Sequence, residues 1–150
     1  MEIRRYTKDR IPDVLEFERN LRKEENFWGW EIDEAYIDSV TKSFDDPKFA
    51  NSVSFLAYAD GKVVGRIDST LICSHFDGST KAYLDWICVL KSARHLGVAQ
   101  AMLAELRRHL RSECGVDTLI ALMAANDEAQ RFYRSVENAL IRDEGIWMDC

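Results

Sequence analysis

A chain of 150 residues has the length of one domain, and with 47% hydrophobic residues it can bury a sizeable core without disulfide staples. A net charge of −6 argues against nucleic acid, because neutralising phosphates takes a basic face. No stretch approaches the roughly 18 apolar residues of a membrane span, and residues 1–6 lack an apolar run and a small-residue cleavage site, so a cytosolic chain is expected, without a membrane partner.

Residues 2–6 alternate and predict a first strand. Asp9 is placed to cap a helix that starts near Arg10, with Pro12 tolerated in its first turn. Ile11, Val14, Leu15 and Leu21 give that helix an apolar stripe. A second helix is expected over residues 33–44, and Asp45-Asp46-Pro47 stops it. Residues 53–59 and 62–74 read as two strands joined at Asp60-Gly61, a strong signal for a tight hairpin. Residues 82–89 form a further strand. The period then changes: Val98, Met102, Leu106 and Leu110 step by four and define a helix that Cys114-Gly115 ends. Residues 118–123 predict a short buried strand, and Asn126 caps a helix reaching about residue 136. Residues 139–142 and 146–148 are expected to add two closing strands. The order β-α-α-β-β-β-α-β-α-β-β describes an α/β chain, one domain over residues 1–150, with a locally parallel pair inside a mixed sheet.

The turn Arg94-His95-Leu96-Gly97-Val98-Ala99 lies where a strand feeds a helix. Such a helix start presents free N–H groups and a positive dipole end, which suit an anion. Gly97 removes the Cβ that would block the approach, Ala99 allows close contact, and Arg94 adds charge at the mouth. The Walker pattern is absent because no Lys-Ser/Thr follows, and the first glycine of a dinucleotide fingerprint is missing. By spacing alone, an ordinary strand-to-helix turn remains an equal reading.

The order of elements and two motifs make the chain resemble the GNAT family of N-acetyltransferases. The first motif, Val-x-x-x-x-Arg/Gln-x-x-Gly-x-Gly/Ala after the fourth strand, is matched by Val89, Arg94, Gly97 and Ala99. The second, Asn-x-x-Ala-x-x-x-Tyr, is matched by Asn126, Ala129 and Tyr133. One departure follows that tyrosine: Ser135-Val136-Glu137-Asn138-Ala139 stands where the family usually has Gly-Phe. The resemblance implies acetyl-CoA as cosubstrate. Amides of residues 94–99 would bind its diphosphate and the Val89 backbone would pair with the pantetheine arm, where the fourth and fifth strands splay apart. Asn126 would line the same channel, and Tyr133 would protonate the leaving thiolate.

Amine acylation by a thioester needs a neutral amine and a proton for the departing sulfur. Tyr133 suits the acid role and Asp85 the base role, directly or through water. An aspartate inside Tyr83-Leu84-Asp85-Trp86-Ile87 is costly to bury unless it has a partner or a task. Asp68, on the preceding strand, is the weaker second candidate. His75, His95 and His109 take structural or solvated readings. Cys73, Cys88, Cys114 and Cys150 lack CxxC spacing and read as reduced thiols, and no metal is expected.

Residues 24–46 hold Glu24, Glu25, Glu31, Asp33, Glu34, Asp38, Asp45 and Asp46 against Lys42, interleaved with Phe27, Trp28, Trp30 and Tyr36. Carboxylates among aromatic faces suit a cationic acceptor. The equal alternative for each residue is a solvated helix face or core. Trp28, Trp30, Glu31 and Asp68 are the candidate acceptor-binding residues. An aminoglycoside fits the charge pattern, a polyamine nearly as well, and the acidic tail at residues 143–149 is similar to tails in aminoglycoside acetyltransferase-like members. Protein amines as acceptor, a non-catalytic acyl-CoA-binding module and a plain interaction domain stand as alternatives. The oligomeric state is open, a homodimer included.

Overall fold

The computed structural model describes residues 1–25, 31–142 and 145–150. The chain divides into two compact units, Met1–Ile120 and Ala121–Cys150. The first carries strand β1 (Glu2–Arg5), helices α1 (Ile11–Glu24) and α2 (Glu34–Ser43), strands β2 (Ser52–Ala59), β3 (Lys62–Cys73) and β4 (Thr80–Val89), and helix α3 (Val98–Cys114). Strand β5 (Leu119–Ala121) has its first two residues in that unit and its last in the second, to which helix α4 (Asp127–Arg134) belongs. The sheet runs β1-β2-β3-β4-β5, and the first four strands pair antiparallel. This is the α/β class with a mixed sheet that the element order predicts, without the two closing strands.

The hairpin forms where Asp60-Gly61 predicts it, because both residues adopt positive φ (49° and 75°) and match the twist of β2 and β3. Along β3 the burial alternates with period two: Val63, Ile67 and Ser69 are buried, while Arg66, Asp68 and Thr70 lie on the other face. The two faces meet different helices. Gly65 faces α3 so closely that a Cβ there would stand 2.9 Å from the Met102 methyl and 3.0 Å from a Val98 methyl. On the opposite face Arg66 reaches Glu18 of α1. Val14, Phe17 and Leu21 of α1, Leu56 and Ile67 of the sheet, and Met102, Leu106 and Leu110 of α3 are fully buried. Each such side chain contributes about 1.5–3 kcal/mol.

Four local expectations change. The short strand expected to be buried over residues 118–123 is only Leu119–Ala121, with Ile120 exposed. Asp9 does not cap α1: it sits in a 3-10 turn, Lys8–Arg10, and Arg10 takes the cap position without a side-chain bond. A cap at Asp9 would need the amide three residues on, and Pro12 has none. The two closing strands are the other differences. Residues 139–142 and 146–148 form no ladder, and Leu140, Ile141, Ile146, Trp147 and Met148 are all exposed. Asn138 turns at φ 59°, and neither run has one buried face to hold a register.

Candidate active site

The end of β4 and the start of α3 make the first half of the site. Val89 pairs with Gly65, and the Leu90 N–H donates to the Val64 carbonyl at 2.9 Å, so the end of β4 is anchored on β3. The chain then turns through residues 94–97 with His95 at φ 63° and Gly97 at φ 78°, and Gly97 is the α3 cap. Among the described residues no acceptor takes the N–H groups of residues 95–100, and the first α3 bond runs from Ala101 to the Gly97 carbonyl at 3.0 Å. No described residue outside its chain neighbours lies within 4 Å of the position a Gly97 Cβ would occupy. His95 and Leu96 are exposed, Val98 is buried against the sheet and Ala99 half-buried. The turn is therefore a row of unsatisfied donors beside open space at a helix N-terminus, the arrangement an anionic diphosphate fits.

Arg94 does not supply the charge expected at the mouth. Its guanidinium grips Glu25 at 2.7 and 2.8 Å, and its Nε donates to the Val89 carbonyl at 3.2 Å. The next carboxylate back, Glu24, accepts from the Ser92 N–H at 3.0 Å and from the Ser92 hydroxyl at 2.7 Å. Burial pushes the Glu24 carboxyl up, but the bonds from Ser92 and Lys91 outweigh it and hold the group below its ordinary range.

Asp85 and Asp68 lie on adjacent strands. Asp68 pairs with Trp86 and Ser69 with Leu84, so Asp85 is the extra residue of a β-bulge. The burial parity records it: Ala82 and Leu84 are buried before the bulge, Val89 after it. The bulge turns two successive side chains to the Arg66 face. Asp85 accepts from the Thr70 hydroxyl at 2.6 Å, and Arg66 stacks 5.7 Å from the Trp86 ring centre. Asp85 is exposed. Partial burial raises its carboxyl above the ordinary value, the Thr70 bond lowers it, and repulsion from Asp68 raises it again, with a net rise.

Asp68 is engaged. The Arg66 Nε stands 2.7 Å from its Oδ2, without the N–H aligned on that oxygen, and another Arg66 nitrogen donates to its Oδ1 at 3.1 Å. Arg66 also bonds buried Glu18 at 3.2 Å, whose carboxylate accepts from the Tyr36 hydroxyl at 2.8 and 2.9 Å. Composition could not reveal this chain of partners, though Arg66-x-Asp68-x-Thr70 at period two is a legible sign of one shared strand face.

The acidic segment is similarly occupied. Besides Glu24 and Glu25, Asp33 caps α2 through the Tyr36 N–H at 2.8 Å, Asp38 pairs with Lys42, Asp45 with Lys8, and Asp46 with Lys48. Of the eight acids this leaves Glu31 and Glu34, both exposed, with no partner among the described residues. Trp28 and Trp30 lie outside the described residues.

In the second unit, the Asn126 side chain accepts from the Ala129 N–H at 2.8 Å and caps α4. The Asn-x-x-Ala spacing is thus that of a helix N-cap. Tyr133 is half-buried one residue before the end of α4, its ring edge-on to Phe132 with centroids 5.1 Å apart. No group of three His, Cys, Asp or Glu that could hold a metal occurs among the described residues, nor does a helix long and apolar enough to cross a membrane.

Solved structures with this fold include several acetyltransferases. An aminoglycoside acetyltransferase from an uncultured soil metagenomic sample, in complex with sisomicin, is 16% identical with a TM-score of 0.81, over 99% of this chain and 95% of that one. The enzyme AAC(6')-Iy, bound to a bisubstrate analogue of coenzyme A and acetylneamine, is 20% identical with a TM-score of 0.75, over 99% and 97%. A ribosomal-protein-alanine N-acetyltransferase from Brucella melitensis biovar Abortus 2308 is 15% identical with a TM-score of 0.73, over 99% and 100%. At these identities the likeness is one of fold. No curated protein matches the sequence. A family model does, over residues 15–136, and by that match the chain belongs to the acetyltransferase (GNAT) family, as an N-acetyltransferase.

Proposed function

We propose that the protein transfers the acetyl group of acetyl-CoA to a primary amine of a small cationic acceptor, an aminoglycoside or a polyamine-like molecule, in a direct ternary-complex reaction. The observation that carries this reading is the turn after Val89, where free amides of residues 95–99 stand beside open space at the start of α3. A diphosphate held there would lead the pantetheine arm along the end of β4. β5 has three residues against ten in β4, so most of that edge of β4 lies outside the β4–β5 ladder. The acceptor side in this reading is the face of Glu18, Arg66, Asp68, Thr70, Asp85 and Trp86, and Glu31, Trp28 and Trp30 are the acceptor-binding candidates of the connecting segment, the two tryptophans outside the described residues.

In this reading the neutral amine attacks the thioester carbonyl, a C–N bond forms and the C–S bond breaks. Asp85 takes the amine proton, directly or through water. Its exposure gives access, and its raised pKa makes it a better proton acceptor than an ordinary aspartate. Tyr133 gives its phenolic proton to the departing thiolate. Asp68 orients rather than accepts, since Arg66 already holds it. Aminoglycosides are favoured among cationic amines by the complexes formed by structures of the same fold, one with sisomicin and one with a neamine-derived analogue.

Two measurements test the reading. Thiol release is followed with acetyl-CoA and a panel of aminoglycosides, polyamines, amino acids and peptides, and turnover is expected with the polycationic members. Release with peptides alone moves the acceptor to protein amines. No release with any amine, but binding of acetyl-CoA, leaves a non-catalytic acyl-CoA module. Tyr133→Phe is expected to lower kcat about 100-fold while acetyl-CoA binding holds; unchanged turnover removes the acid role.

A further inference from the structure

We infer that Glu25, with Glu24 beside it, is a positioning residue for the coenzyme turn. Its carboxylate holds the Arg94 guanidinium against the Val89 carbonyl, which fixes the backbone that presents the amides of residues 95–99. This rests on the reading of that turn as the coenzyme site.

The geometry separates two roles for Arg94. A guanidinium serving as counter-charge to a diphosphate would be aimed at the open space beside Gly97. Here three of its N–H groups are spent inside the protein, two on Glu25 and one on Val89. Both partners of the ion pair are four-fifths buried, so it is little screened. Paired in this way, Arg94 and Glu25 present almost no net charge. What they supply is shape: a planar fork with a carboxylate on one edge and the last carbonyl of β4 on the other.

The position of the two acids is a second, independent sign. Glu24 closes α1 and Glu25 is its C-cap. The C-terminal end of a helix carries the negative pole of its dipole, where a carboxylate is disfavoured. Two successive carboxylates there need compensating partners, and both find them in one three-residue stretch, Glu24 at Ser92 and Glu25 at Arg94. The chain continues from Glu25 into the acidic, aromatic connection between α1 and α2.

Acetyl-CoA titration by calorimetry, together with steady-state kinetics, decides the matter, because the two roles give opposite signs. If Glu25 positions the turn, Glu25→Gln raises the Kd for acetyl-CoA about tenfold, a loss of about 1.4 kcal/mol. The effect falls on KM for acetyl-CoA rather than on kcat. Arg94→Gln does the same, and the double variant is no worse than either single one, as for two halves of one contact. If Glu25 merely competes with the diphosphate for Arg94, Glu25→Gln tightens acetyl-CoA binding, and the inference is overturned. An unchanged Kd overturns it equally. Should Glu25→Gln fail to fold, Ser92→Ala removes only the hydroxyl bond to Glu24. It should raise the Kd about threefold, and no change there also sinks the inference. A wild-type protein that does not bind acetyl-CoA removes the coenzyme reading itself, a result distinct from binding that ignores Glu25.

Discussion

The proposed donor turn and the proposed acceptor face are built on the same two strands and would work by opposite means. The turn after β4 offers backbone: amides at residues 95–100 without acceptors among the described residues, open space beside Gly97, and an arginine whose charge is cancelled by Glu25. The face beside it offers side chains, and most of them are committed. Glu18 and Asp68 both pair with Arg66, and of the three carboxylates Asp85 has only a hydroxyl, that of Thr70, as its described hydrogen-bond partner. The difference teaches where identity matters. On the face, one carboxylate is free to take a proton. In the turn, what counts is a backbone shape that glycine permits.

The largest effect expected from this contrast is at Asp85. Asp85→Asn keeps an acceptor for the Thr70 hydroxyl and removes the proton-accepting charge, so kcat/KM should fall about 100-fold with little change in melting temperature. The pH profile gives the sign. A base works ionised, so activity rises with pH through its pKa, and the rise should lie above the ordinary aspartate value of 3.8. In Asp85→Asn that limb should vanish. A variant with full activity and the same limb would falsify the base role and leave Asp85 as a bulge residue only.

Much of this was legible in the sequence, and the limits have physical causes. The hairpin at Asp60-Gly61, the α3 stripe, Gly97, and the Asn126 cap follow from local rules, since a turn or a cap depends on a few adjacent residues. The bulge at Asp85 is half legible: a charge inside an apolar run marks an interruption, but its register depends on β3. The pairing of Glu25 with Arg94 spans 69 positions and has no local signature. For the same reason the acid count of residues 24–46 overstated the charge left for a ligand, because Lys8, Lys48, Ser92 and Arg94 come from outside or the edge of that segment. The closing strands over residues 139–142 and 146–148 rest on two short apolar runs, and such a run does not tell whether a neighbour exists to pair with.

A middle-sized effect sharpens the backbone half of the contrast, because the protein contains its own control. Gly97 and Gly115 stand at the two ends of α3, both left-handed (φ 78° and 64°), both with no described residue beyond their chain neighbours within 4 Å of a Cβ. Alanine at either costs about 1–2 kcal/mol of backbone strain, and melting temperatures should fall alike, by about 2–4 °C per kcal/mol. Only Gly97→Ala puts a methyl group beside the free amides. Its acetyl-CoA Kd should rise about tenfold, while Gly115→Ala binds like the wild type. Equal binding by the two variants would show that the turn holds no diphosphate.

The smallest expected change separates Asp68 from Asp85 on the face they share. Asp68→Asn breaks the ion pair with Arg66 but leaves that arginine bonded to Glu18, so stability should drop by about 1–3 kcal/mol. The proton-accepting group is untouched, and turnover per folded molecule should survive. Asp68 repulsion is one of the causes that raise the Asp85 carboxyl. Removing it lets Asp85 ionise more easily, so the rising limb of the pH profile should move to lower pH. The direction is the test. A limb that moves up, or turnover that falls as far as in Asp85→Asn, would mean that Asp68 is the proton acceptor and that Arg66 releases it when the amine binds. A limb displaced downward in a less stable enzyme keeps the roles apart: Asp68 spends its charge on the fold, and Asp85, at the bulge, keeps its own for the substrate.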